Sequence, residues 1–225
     1  MRKATIFAAA LLTTSLQAWA VAPPGFAVAG RTPRLTVYAR PGQKVDVQRV
    51  DTRLAELERQ LDTVARPARY FHHERPEDVA AATGRFASGV TFSSGEVHAT
   101  DRASDHELVH VVSNDLGRPG AFFEEGLAVV LGDECRYRGE KVDKVAKVVA
   151  PRLPLTQIMA RFDERQPGTG YAVAGSFVQH LVSSYGLPKL VQFFRATWRN
   201  TTDAAFLQVY GRTLDEEGEL WQHKL

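Results

Sequence analysis

Ser104–Asp133 reads SDHELVHVVSNDLGRPGAFFEEGLAVVLGD, and the rest of the chain is understood from it. It opens with H-E-x-x-H. Residues four apart share one face of an α-helix, so His106 and His110 can converge on a single point with Glu107 beside them. Two imidazoles and an adjacent carboxylate in this pattern suit a zinc site that activates water. Such an ion takes three protein ligands and keeps a fourth position open, so another N or O donor has to follow. Glu125 is the candidate. Gly117, Pro119 and Gly120 allow the first helix to end and the chain to turn into a second helix that brings Glu125 back. Ser104 and Glu107 also match the S-x-x-E spacing of a capping box, the reading in which this helix carries no metal.

H-E-L-V-H followed by F-F-E-E-G-L-A resembles the gluzincin metallopeptidases, particularly the small bacterial peptidase MA-like domains. In that family the Glu directly before Gly-Leu-Ala is the third zinc ligand, so the resemblance implies Glu125 rather than Glu124. It extends, through weaker motifs, from about Arg34 to the C-terminus. It implies an α+β, zincin-like fold: a small N-terminal mixed sheet, an active-site helix and a mainly helical C-terminal lobe. The gap between the second His and the Glu is shorter than in the aminopeptidase branch, and no G-x-x-E-N-like motif occurs. An endopeptidase is therefore expected, with zinc as cofactor and a peptide or protein as substrate. Glu107 would serve as general base.

The chain after this stretch supplies the remaining candidates. Lys141–Ala150 can form a short helix, and Leu153-Pro154-Leu155 resembles the family's P-L-x-x-L connector. Arg161–Gly170 is polar and carries Pro167 and Gly168, as a loop does. Tyr171–Tyr185 then reads as a helix. In larger gluzincins a Tyr near the start of a similarly placed helix donates to the oxyanion, which makes Tyr171 the expected donor and His180 its rival. Here Y-A-V-A-G stands in place of their Y-x-K-G. The close of the chain resembles the family's F-G-x-S-L…W helical end.

Metal-bound His usually donates its second N–H to a carboxylate or carbonyl. Asp105, Asp115 and Asp133 are candidates for that partner, and the sequence does not choose among them. Many gluzincins place an acid one turn after the third ligand, where this chain has Val129.

Upstream, Arg34–Arg40 alternates as a strand, and Val47–Ala65 repeats Val50, Leu54, Leu57, Leu61 and Val64 at helical spacing. Arg69–His73 is a short strand, followed by a helix through Ala82. Gly89–Phe92 and Glu96–Thr100 flank Ser93-Ser94-Gly95 as a hairpin. By resemblance, residues 90–99 border the cleft, where extended peptide adds to the sheet edge. His72 and His73 are expected on the surface, and His98 on the surface of the sheet.

Residues 1–20 read as a signal peptide. Arg2 and Lys3 precede an apolar run from Ala4 to Leu16, and Ala18-Trp19-Ala20 has the small-x-small pattern of a cleavage site. The protein is accordingly expected to be exported, periplasmic or secreted, with no stable membrane insertion after cleavage. Residues 21–33 read as an extended leader and 34–225 as a single domain. Without Arg2 and Lys3 the 28 basic residues fall to 26, matching the 26 acidic ones. That balance offers no nucleic-acid surface. Cys135, the only cysteine, excludes an intrachain disulfide and is expected to be partly buried and inert. A monomer is expected.

Two other functions fit the same residues. One is a non-catalytic exported zinc-binding or interaction domain, disfavoured by the presence of Glu107 because a structural site needs no base. The other is a latent, self-processing protease whose leader covers the cleft.

Overall fold

The computed structural model describes residues 22–150, 152–162 and 168–225. The signal peptide expected at 1–20 and residues 163–167 of the polar loop lie outside them. The chain is mixed α+β with a small mixed sheet.

Five strands form that sheet: β1 (Ala27–Arg31), β2 (Leu35–Ala39), β3 (Ala68–His73), β4 (Gly89–Thr91) and β5 (Glu96–Thr100), in the order β1-β2-β3-β5-β4. The inner pairs β2–β3 and β3–β5 are parallel, and each edge strand is antiparallel to its neighbour. The parallel pairing of β2 with β3 needs a crossover, and α1 (Val47–Gln60) provides it. Asp46 caps α1 by accepting from the Arg49 N–H at 2.9 Å. The helix stops short of the expected Ala65 because Asp62 takes a left-handed conformation, φ +47°. Leu61 nevertheless remains fully buried.

Alternation along the strands gives the sheet two different faces. Leu35, Val37, Tyr70, Val97 and Ala99 join the main core with Leu54 and Leu57 of α1. Tyr38, Phe71 and His98 stack on the opposite face, where Phe26 and His73 also pack. Helix α2 (Pro76–Thr83) follows β3 and places Val79 out of solvent. Three expectations are corrected here: His72, His73 and His98 are all buried. Residues 27–31 of the expected leader also have a definite place. They form β1, at the edge of the sheet opposite β4.

After β5 a single 3-10 turn, Asp101–Ala103, leads directly into α3 (Ser104–Ser113). Ser104 thus lies within the helical run. Helix α4 (Ala121–Leu131) follows, then a hairpin of two-residue strands, β6 (Arg136–Tyr137) and β7 (Glu140–Lys141). The rest is helical: α5 (Val142–Val149), α6 (Leu155–Ala160), α7 (Gly170–Tyr185), α8 (Leu187–Ala196), α9 (Thr202–Tyr210) and α10 (Leu214–Lys224).

Helix α7 is the centre of this part, burying Ala172 through Val178 together with His180 and Leu181. Helix α4 lies against it closely enough that a Cβ at Gly126 would stand 2.5 Å from Val178 Cγ2 and 2.7 Å from the Ala174 carbonyl oxygen. Any side chain at 126 would push the two helices apart. Phe123, Phe177, Phe193 and Phe206 pack around the junction, and the Trp221 ring meets Phe177 edge-on. This core is continuous with the one under the sheet. No described helix is long and apolar enough to cross a membrane.

Candidate metal centre

Helices α3 and α4 bring His106, His110 and Glu125 together. One ligand atom from each lies within 4.8 Å of the others. His106 Nε2 is 3.1 Å from Glu125 Oε2, and His110 Nε2 is 3.5 Å from the same oxygen. A tetrahedral zinc with bonds near 2.1 Å would set its ligand atoms roughly 3.4 Å apart, so this spacing fits. The donor set of two nitrogens and one carboxylate oxygen fits as well. Glu124, the alternative left by the sequence, lines a neighbouring recess.

Asp133, two residues beyond α4, takes the other nitrogen of His106: Nδ1 lies 2.8 Å from Asp133 Oδ2. With Nδ1 donating there, His106 directs Nε2 towards the cluster, the nitrogen that would ligate a metal once deprotonated. The other two acids are engaged elsewhere. Asp105 pairs with Arg49 and Arg53, and Asp115 with Arg66. Val129 is fully buried in the core, so the carboxylate partner comes from one helical turn further along.

Glu107 is buried beside the cluster, and its partner comes from the sheet. The Thr91 hydroxyl lies 2.7 Å from Glu107 Oε2 and 3.1 Å from the Glu107 carbonyl oxygen. Edge strand β4 therefore runs directly over the base of α3. A Cβ at Gly89 would fall 2.5 Å from both Cγ and Oε1 of Glu107, so only glycine leaves the carboxylate where it is. Thr91 and Gly89 went unnoticed in the sequence. Their signal was their spacing of two, which puts both on one face of a strand already expected to border the cleft.

Charge in the metal-free cluster is distributed around Glu125. Burial raises the pKa of this carboxyl, but His110 and His106 outweigh it and hold the group well below the usual carboxylate range. Burial likewise opposes charge on His106, yet the bonds to Asp133 and Glu125 raise its pKa to about 10. His110 is raised too, with Glu125 overcoming burial. Glu107 moves the other way from Glu125. Its burial prevails over the nearby histidines and the Thr91 hydrogen bond, and its pKa rises. Two neighbouring carboxylates are thus set apart, one held as an anion and the other shifted upward towards its protonated form.

Tyr171, at the start of α7, stacks parallel to His106, with ring centroids 6.1 Å apart and planes 6° from parallel. Phe162 also stacks on Tyr171, with ring centroids 5.9 Å apart. His180 is held elsewhere: its Nε2 lies 2.8 Å from Glu217 Oε1, and its Nδ1 is 3.3 Å from Lys224 Nζ. Of the two oxyanion-donor candidates, Tyr171 is the one beside the cluster. Cys135 is half-buried, with its Sγ 3.8 Å from the Val130 carbonyl oxygen, and burial raises its pKa. Neither the protein-family models nor the curated proteins compared with this chain gave a match.

Proposed function

We propose that this protein is a zinc-dependent peptidase of the gluzincin type, on a zincin-like fold, acting as an endopeptidase. The observation that carries the reading is the convergence of His106, His110 and Glu125 beside a buried Glu107 whose carboxylate is held by Thr91. Zinc bound by the three ligands would supply Lewis acidity, lowering the pKa of a water in its open position and polarising a carbonyl. Glu107, held at Oε2 by the Thr91 hydroxyl, would accept the proton of the attacking water and pass it to the leaving amine. Its raised pKa suits both halves of that transfer. Tyr171 would donate its hydroxyl to the developing oxyanion, while β4 offers a sheet edge along which extended peptide can lie.

The N-terminal sequence supports export, and the reading therefore places the activity outside the cytoplasm. The purely structural alternative needs no buried carboxylate beside the cluster. The latent alternative needs a leader over the cleft, and β1 lies at the sheet edge away from β4.

The test is cleavage of a mixed peptide library by zinc-loaded residues 21–225, beside Glu107→Gln. Cleavage by the wild type and a loss of at least a hundredfold in Glu107→Gln supports the reading. Equal activity in both, or none in a zinc-loaded wild type, rejects it.

A further inference from the structure

Beside the metal centre lies a recess of about 160 Å³ lined by Arg66, Ser93, Asn114, Gly117, Arg118 and Glu124. Three of its walls continue the three elements that build the site. Asn114 follows His110 by one helical turn. Glu124 directly precedes Glu125. Ser93 lies two residues beyond Thr91, on the chain that leaves β4. A peptide lying along β4 past Glu107 would therefore run towards this recess.

Its floor is rigid. A Cβ at Gly117 would fall 1.8 Å from the Phe194 carbonyl oxygen, so the turn after α3 is pressed against α8. The Arg118 backbone N–H donates to Thr197 Oγ1 at 2.7 Å. The cations on the rim differ. Arg66 is balanced by Asp115 at 3.0 Å and also donates to the Ser93 carbonyl oxygen. Arg118 is exposed, with its guanidinium over the half-exposed Trp198 ring at 5.6 Å and no carboxylate partner among the described residues. Glu124 sits in the first turn of α4, where the helix dipole favours its charge. A guanidinium oriented by an aromatic ring, with no carboxylate paired to it among the described residues, is suited to a planar carboxylate.

We infer that this recess is a substrate subsite in which Arg118 receives a peptide carboxylate, either an Asp or Glu side chain or the C-terminal carboxylate. This inference rests on the peptidase reading and gives it a substrate class. Ser93 and Asn114 add a hydroxyl and an amide for the remaining carboxylate lone pairs.

The test uses a random octapeptide library with free or amidated C-termini, passed over immobilised, zinc-loaded Glu107→Gln protein, which needs no turnover. Enrichment of Asp and Glu in retained peptides of both kinds assigns the subsite to side chains. Enrichment confined to free C-termini assigns it to the terminal carboxylate. In either case adding Arg118→Gln removes about tenfold of the enrichment, the size of one charge-assisted hydrogen bond. Retention with no acidic or terminal preference, enrichment that survives Arg118→Gln, or no retention overturns the inference. The same library incubated with the wild type keeps the two proposals apart. Arg118-dependent retention without wild-type cleavage would reject the peptidase and leave the carboxylate site standing, whereas cleavage indifferent to Arg118 would do the reverse.

Discussion

A carboxylate that accepts protons, the role proposed for Glu107, has to be positioned without being neutralised by a cation, and the Thr91 hydroxyl is placed to do this. It fixes one oxygen and leaves the other. Replacing Thr91 with Val should lower kcat about tenfold or more, with KM and zinc content little changed, and Thr91→Ser should recover most of the loss. Steady-state kinetics alongside metal analysis reads the split. Gly89→Ala should act on the same carboxylate by displacing it, again sparing zinc content. Asp133→Asn should do the opposite. By loosening the partner of His106 Nδ1, it should weaken zinc binding by about 10- to 100-fold in a chelator competition. At this scale the sequence was legible where spacing along one helix sufficed, as for His106, Glu107 and His110. Thr91 and Asp133 act through contacts between elements, and nothing in their local sequence distinguishes Asp133 from Asp105 or Asp115.

The elements show the same division. The β4–β5 hairpin could be read from Ser93-Ser94-Gly95, since Gly95 adopts φ +81° in the turn. Strand β1 could not, because its short Gly-containing run becomes a strand only by pairing with β2. The outer sheet face was hidden for a related reason: alternation separates the two faces but does not say what covers the second. There His73 Nε2 lies 3.0 Å from His98 Nδ1, and His98 Nε2 is 3.0 Å from Glu96 Oε1. Burial and then His98 lower the pKa of His73 to about 4; Asp78 opposes the shift, while Arg40 and His72 add to it. Since the unfolded side chain titrates near 6.5, His73 contributes full stability above that pH, and the contribution is lost as pH falls from 6.5 to about 4. Urea midpoints should therefore fall across this window, by up to a few kcal/mol in unfolding free energy. His73→Phe, which can keep the contact with Phe26, should flatten that dependence. An unchanged slope in the variant would remove His73 as its source.

For the molecule as a whole, one core runs from the sheet to α10, and the candidate metal centre is built between its sheet and helical parts. The general α+β plan was legible because the helical and alternating periods are strong. The relative placement of α4, α7 and the sheet depends on close packing such as that at Gly126, which periodicity does not encode. Without metal, His106 keeps its proton up to about pH 10, so its ion pairs stabilise the fold below 6.5 and lose that effect as pH rises through about 10. On the proposed reading, zinc binding would displace this proton and the one favoured on His110. Calorimetry in buffers of different ionisation enthalpy should accordingly show proton release on binding, and affinity should weaken as pH falls. Chelation should then lower Tm, because zinc held by the proposed ligands would bind the folded chain selectively.

The most direct measurement is zinc content by elemental analysis of purified residues 21–225, together with Glu107→Gln and Glu125→Ala. The account predicts about one zinc per chain in the wild type and in Glu107→Gln, where all three ligands remain, and a marked loss in Glu125→Ala. Wild-type protein without stoichiometric zinc after non-chelating purification and zinc addition, or Glu125→Ala retaining it in full, would contradict the account.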